Sequence, residues 1–175
     1  MGTPPPPGAL VISSAEDCDN CKLIAKSINY IVYAVPPYEP VIEVAELPAD
    51  AFRAQISSNN VPPTLKVGGK ATLNVLVKNL GGETWPAVGE AGYSHAVVLR
   101  DRWLRLDGTV VNDQDARARF PFDLEPGDTA GVSLQITGPK IPAEYLLELD
   151  VVQEGVAWFG ERGSETLKRR LTVER

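Results

Sequence analysis

The most constraining stretch of this sequence is 141–165, IPAEYLLELDVVQEGVAWFGERGSE. Its first half alternates apolar and acidic residues, and an extended chain places such alternating side chains on opposite faces. We therefore predict a strand with one buried face and with Glu148 and Asp150 exposed to solvent. A turn follows at Gly155, and a short apolar strand resumes after it. Because a strand with one apolar face needs a second layer to cover it, the rest of the chain must supply further strands.

Residues 51–175 supply them. Apolar residues recur two apart in several segments that are separated by turn signals, of which Asp107-Gly108 predicts a hairpin. We predict a mainly β fold over residues 50–175, an antiparallel immunoglobulin-like β-sandwich of seven or more strands. Its clearest strands are predicted at Phe52–Ile56, Ala71–Val77, His95–Leu106, Ala118–Phe122, Val132–Ile136, Tyr145–Val151 and Leu167–Val173.

The first 49 residues are built differently. Ten of the 15 prolines lie before Thr64, which predicts an extended, solvated Pro-rich segment. The run ALVISSA predicts a short strand after the first prolines. Asp17 is placed as a helix N-cap, and the apolar residues after it recur at helical spacing, so a short helix is predicted from about Cys18 to Val32. We therefore expect a Pro-rich extension with one short helix, residues 1–49, ahead of the β-sandwich.

The charge balance argues against a nucleic-acid partner. The formal net charge is −6 and the pI is about 4.9, whereas phosphate-backbone binding depends on clustered Lys and Arg. The start of the chain lacks the basic and apolar regions of a signal peptide, and the uncharged stretch Ser27–Tyr38 is too short to span a bilayer. We expect no membrane span and a cytoplasmic location. Two cysteines do not form a disulfide framework, in agreement with a reducing compartment.

Four segments carry a resemblance to known domains: NLGGETWP at 79–86, VVLRDRW at 97–103, LEPGD at 124–128 and the long stretch 141–163. Together they resemble the immunoglobulin-like modules attached to bacterial cell-surface polysaccharide enzymes. They are also distantly similar to the four-tryptophan domain of autophagy cargo receptors. The chain departs from the latter pattern in having three tryptophans and in placing Ala143 where that family has glycine.

The resemblance implies a non-catalytic accessory module with a binding or spacing role. The enzymes that carry such modules act on cell-surface polysaccharides, so a glycan is the first expected ligand. The alternative is a protein-protein interaction adaptor, as the four-tryptophan domain implies. The shared motifs consist of turn and core residues, so they specify a fold more closely than an activity. The sequence leaves the oligomeric state open.

Trp85 and Tyr93 are the candidate ligand-binding residues. Both lie in a loop rich in glycine, and carbohydrate modules stack sugar rings on exposed aromatic side chains. The competing interpretation is that Trp85 caps the end of the sandwich as a buried loop tryptophan. Trp103 and Trp158 occupy inward-facing strand positions and are predicted to be core residues.

Cys18 and Cys21 form the sharpest local motif. A CxxC at the start of a helix resembles the active-site segment of thioredoxin, where the helix dipole lowers the pKa of the first thiol. The neighbouring acidic residues oppose thiolate formation, and too little chain follows for a thioredoxin fold. As a zinc site the pair supplies two of the four ligands that a structural site needs. Two apolar side chains on a docking helix are the simpler interpretation.

No catalytic residue is predicted. The single histidine, His95, begins a strand and has no flanking nucleophile or carboxylate that would make it a general base. The acidic pairs Asp113/Asp115 and Glu148/Asp150 match a two-carboxylate hydrolase only in composition. We therefore expect a protein that is not an enzyme and that carries no cofactor.

Overall fold

A computed structural model describes residues 10–13, 22–26, 31–34, 45–88, 95–112 and 116–175. The chain divides into two compact units, residues 1–42 and 43–175.

The first unit contains a three-stranded antiparallel sheet in the order β1-β3-β2, with β1 at Leu10–Ser13, β2 at Lys22–Lys26 and β3 at Ile31–Ala34. The first strand lies where the run ALVISSA predicted one. The helix predicted from about Cys18 to Val32 is wrong, because all of its described residues belong to β2 and β3. Short apolar segments fit helical and extended periods equally well, and here pairing across the sheet decides between them.

The second unit is a β-sandwich of two sheets. The smaller sheet has the order β10-β6-β4 and comprises β4 (Ala54–Ser58), β6 (Lys70–Asn79) and β10 (Thr129–Thr137). The larger sheet has the order β5-β13-β11-β7-β8, with β12 paired to β11 and β9 paired to β7. It comprises β5 (Thr64–Lys66), β7 (Val97–Leu104), β8 (Val110–Asn112), β9 (Arg117–Arg119), β11 (Ala143–Gln153), β12 (Ala157–Trp158) and β13 (Leu167–Glu174).

Short 3₁₀ turns lie at Ala49–Ala51 and Phe159–Arg162. All strand pairs are antiparallel except β5 with β13, which are parallel. The mainly β sandwich predicted from the sequence is confirmed. The turns predicted at Gly108 and Gly155 also form, and both glycines lie in the left-handed region, at φ +88° and +76°.

The core lies between the two sheets. Alternate residues of β6 and β10 face alternate residues of β7, β11 and β13, so each strand contributes its apolar set to one interior. The fully buried members include Leu73, Val77, Leu134, Leu99, Leu147, Leu149, Val151 and Leu171.

Trp85 closes one end of this core. Its ring centroid lies 5.0 Å from that of Phe159 in an edge-to-face arrangement, and 6.3 Å from that of Phe120. The indole N–H donates a hydrogen bond to the carbonyl oxygen of Ala51 at 3.0 Å. The indole therefore packs into the end of the core and also links two distant segments by a hydrogen bond.

Asn79, at the end of β6, fixes the loop that carries Trp85. Its side chain is fully buried, and its amide donates hydrogen bonds to the carbonyl oxygens of Glu83 at 2.8 Å and Leu124 at 2.9 Å. Its side-chain oxygen accepts a hydrogen bond from the N–H of Gly81 at 2.8 Å. A Cβ at Gly81 would lie 2.3 Å from the carbonyl oxygen of Ala51, so only glycine fits there. Within the motif NLGGETWP, the buried residues Asn79, Gly81 and Trp85 therefore hold the loop against the core.

Replacing Asn79 with alanine should lower the free energy of unfolding by about 2 to 4 kcal/mol, because three backbone groups lose their partner. Urea titration followed by circular dichroism measures this. Asn74→Ala is the matched control: Asn74 lies exposed on the same strand and should change the stability by no more than about 0.5 kcal/mol. Equal losses in both variants would contradict the role of Asn79 in holding this loop.

Candidate functional site

The structure does not offer Trp85 as a binding platform. The residue is fully buried, so no face of the indole is open to a sugar ring. The ligand-binding role predicted for it is corrected to the capping role described above, because Phe120 and Phe159, from distant segments of the chain, pack against its ring. Tyr93, its predicted companion, lies outside the described residues.

Among the other predicted candidates, some also lie outside the described residues and some lie within them. Cys18, Cys21, Asp113 and Asp115 all lie outside the described residues. His95 sits in a turn just before β7 at φ +65°, where its N–H donates to the carbonyl oxygen of Glu154 at 2.8 Å and its own carbonyl accepts from the Gln153 amide.

Glu148 and Asp150 are not exposed, and this part of the sequence prediction is wrong. Both carboxylates lie on the outer face of the larger sheet and are buried. In the strand register, Glu148 lies opposite Arg102 and Asp150 opposite Arg100 of β7. The Glu148 carboxylate also accepts a hydrogen bond from the Thr166 hydroxyl at 2.7 Å and lies 3.3 Å from the Lys168 ammonium group. Cations from neighbouring strands therefore compensate acidic residues that would otherwise need solvent.

The segment 157–162, here called the clasp, covers these charges. The N–H of Gly160 donates to a carboxylate oxygen of Asp150 at 2.9 Å. The Arg102 guanidinium lies 3.5 Å above the ring of Trp158 and donates to Glu161 at 2.8 Å. Trp158 is thus a half-buried residue of the outer face and not the core residue that the sequence predicted.

Burial of Asp150 raises the pKa of this carboxyl to about 7. Hydrogen bonds from the N–H groups of Gly160 and Val151 oppose that rise, the charge of Glu148 adds to it, and Arg102 opposes it. A Cβ at Gly160 would lie 2.9 Å from an Asp150 oxygen, so the clasp approaches the carboxyl closely. Because this buried carboxyl accepts a hydrogen bond from the clasp, it holds the clasp against the outer face of the larger sheet.

The outer face of the smaller sheet carries a different feature, a shallow groove. It has a volume of about 490 Å³ and is lined by Ser57, Ser58, Asn59, Asn74, Val75, Leu76, Gly131, Val132 and Ser133. None of these residues is charged. Hydroxyl and amide side chains surround one exposed apolar side chain, that of Leu76, which is 55% accessible. The groove therefore combines neutral hydrogen-bonding groups with a small apolar surface.

Two residues shape the groove. The Asn60 side chain donates to the carbonyl oxygen of Thr72 at 3.1 Å and accepts from the Asn74 N–H at 2.9 Å, which fixes one end of the groove across β4 and β6. Gly131 keeps its middle open: a Cβ at this position would stand 3.5 Å from Leu76 Cδ2. No sequence pattern pointed to this groove, since Gly131 stands just before the predicted strand Val132–Ile136 and the serines and asparagines that line the groove are ordinary solvent-facing residues.

The comparisons with known proteins assign no family. No protein-family model matches the chain, and no curated protein matches it. Among solved structures, a CARDB domain from Pyrococcus furiosus in complex with di-metal ions is 19% identical, with 70% of this chain and 91% of that chain covered and a TM-score of 0.40. A β-glucosidase from Listeria innocua in complex with glucose is 12% identical, with coverages of 70% and 16% and a TM-score of 0.42. These similarities assign no ligand, activity or partner to the protein.

Within the described ranges, no three His, Cys, Asp or Glu side chains are grouped so that they could hold a metal ion. No helix of the described residues is long and apolar enough to cross a membrane.

The pKa of Asp150 predicts a pH dependence of stability. Because the folded pKa of about 7 lies above the ordinary value of 3.8, the folded state binds more protons than the unfolded state between these values. The contribution of Asp150 is therefore fully present below about pH 4 and is lost as the pH rises to 7, by up to about 4 kcal/mol. Asp150→Asn should remove this loss, so that its stability relative to the parent protein rises from pH 4 to pH 7.

Asp107→Asn is the control of opposite sign. Hydrogen bonding to Thr109 lowers the pKa of the exposed Asp107 carboxyl, so its contribution is lost as the pH falls through that lowered value. Urea titrations at several pH values measure both variants. A constant difference between Asp150→Asn and the parent protein across pH 4–7 would contradict the burial argument.

Proposed function

We propose that this protein is a non-catalytic β-sandwich accessory module that binds a neutral glycan in the groove of its smaller sheet. The observation that carries the proposal is the lining of that groove: nine residues without a charge, most of them bearing hydroxyl or amide groups around Leu76. Sugars present hydroxyl groups and apolar CH faces, and a groove of this composition matches both.

The non-catalytic part of the proposal rests on what the titratable groups do. Glu148 is engaged by Thr166 and Lys168, and Asp150 is engaged by the backbone of the clasp. Glu154 lies within 3.6 Å of Arg100 and 3.1 Å of Arg117. These carboxylates serve the outer face of the larger sheet, whereas the groove lies on the other sheet and is lined by neutral groups.

The neutrality of the groove also specifies the class of glycan. An acidic polysaccharide would need cations at the site, because desolvating a carboxylate without a partner is costly. The groove supplies none. Neutral oligosaccharides should therefore bind, and uronic-acid polymers should not.

The test is a titration of neutral and acidic oligosaccharides by isothermal calorimetry. Leu76→Ala should weaken binding of the neutral ligand by about three- to tenfold, since it removes roughly 1 kcal/mol of apolar contact. Leu80→Ala is the matched control, because Leu80 is a similarly exposed leucine that follows β6 outside the groove. It should bind as the parent protein does. A panel in which no neutral glycan binds, or equal effects of the two variants, would overturn the proposal.

The protein-interaction adaptor is the second candidate function. It is favoured by a nine-residue strand, β10, that lies at the edge of the smaller sheet. A sheet edge presents backbone groups that can pair with another chain. Failure of every glycan to bind, together with strand pairing by β10, would move the assignment to this class.

A further inference from the structure

β10 is an unusual edge strand. Its nine residues pair one to one with β6, from Thr129 opposite Lys78 to Thr137 opposite Lys70, without a bulge. In the described part of the chain, β6 is the strand that pairs with it, and the other side of β10 forms the edge of the sheet. Long, regular edges of this kind are templates for pairing with another chain.

The other edges of the two sheets of the β-sandwich are blunted. β5 has three residues and follows Pro62 and Pro63, and β8 has three residues with an irregular register against β7. At the start of β4, the Ser164 hydroxyl accepts a hydrogen bond from the N–H of Ala54 and lies 3.5 Å from its carbonyl oxygen. β10, with the sequence TAGVSLQIT, contains no charged residue and no proline. Proteins commonly protect their edges with such residues or with bulges, and β10 carries neither.

We propose that a second copy of this chain pairs with β10, antiparallel, about a two-fold axis at Ser133. This register places Ser133 opposite its own copy, Val132 opposite Leu134 and Ala130 opposite Ile136. The residues that face the core in one copy, buried in the monomer, then continue the core-facing side of the other. Gly131 falls opposite Gln135, so the outward-facing residues also meet without a charge. A two-fold interface must be self-complementary, and β10 meets this requirement in the antiparallel register.

The charges at the ends of β10 favour the same arrangement. The acidic residues Glu125 and Asp128 lie just before the strand, and Lys140 lies just after it. In an antiparallel pair, the acidic end of one copy comes beside Lys140 of the other, at both ends of the interface. Because a chain of net charge −6 otherwise repels its own copy, an uncharged strand with opposite charges at its ends is where self-association meets least resistance.

Pairing would convert two three-stranded sheets into one of six strands. Gly131 and Ser133 line the groove, so the two-fold axis would bring both grooves to one continuous outer surface. A dimer of this kind would present two sites side by side to a polymeric ligand. The pairing itself depends on β10 alone and does not require that the groove bind a glycan.

The experiment measures the mass of the full chain by sedimentation velocity over a range of concentrations, without ligand. The parent protein should sediment at twice the chain mass of 18.9 kDa. Ser133→Lys and Ser133→Glu each place like charges opposite each other and should sediment as monomers, whereas their equimolar mixture should recover the dimer. Ser57→Lys is the control, since Ser57 is an exposed serine of the same sheet on β4, away from the β10 edge.

Circular dichroism verifies that each variant is folded, which is expected because Ser133 is exposed and makes no core contact. A monomeric parent protein at every concentration would overturn the proposal. So would dimeric Ser133→Lys, dissociation by Ser57→Lys to the same extent, or failure of the mixed charge variants to recombine.

Discussion

The structure depends on β11 being buried on both of its faces. On the inner side, Leu147, Leu149 and Val151 pack into the core between the sheets. On the outer side, Glu148 and Asp150 are buried opposite two arginines of β7, and the clasp donates a hydrogen bond to Asp150. A central strand that is covered twice fixes its neighbours on either side, β7 and β13, and thereby the register of the larger sheet. The buried carboxylates of the outer face also select this strand register, since each carboxylate needs its own partner.

The different surroundings of the polar groups on the two sheets also explain where a ligand can bind. The polar groups of the larger sheet are used to cover one another, whereas those of the smaller sheet are open. Asn74, Ser57 and Ser133 lie exposed on a flat face without ionic partners, and Gly131 leaves a depression between them. One sheet therefore serves the stability of the fold, and the other offers the neutral surface on which the proposed function rests.

Much of the fold could be predicted from local pattern. Alternation identified β6, β10, β11 and β13, and the glycines of two turns were placed where the chain needs positive φ. The errors arose where distant residues decide. The N-terminal segment has apolar residues at helical spacing, yet the pairing of β2 with β3 and of β3 with β1 makes it two strands. Glu148 and Asp150 were expected in water because their partners, Arg102 and Gly160, belong to other segments of the chain.

The candidate site was predicted less well than the fold. Trp85 looked available because it lies in a loop, but it is fully buried, and two phenylalanines from separate segments pack against it. The groove escaped notice because Ser, Asn and Gly at outward strand positions are ordinary solvent-facing residues, and only the sheet order brings β4, β6 and β10 together. No local motif encodes such a surface, since it arises from three strands that are far apart in sequence.

The most direct test of the account is nuclear magnetic resonance of the ¹⁵N-labelled protein during titration with a neutral oligosaccharide. The account predicts that amide shifts cluster on the outer face of the smaller sheet, at Asn74, Leu76, Gly131 and Ser133, while the amides of Gly160 and Val151 stay unchanged. Shifts that centre on the clasp and the charged face of the larger sheet, or a spectrum that does not respond to any neutral sugar, would contradict it.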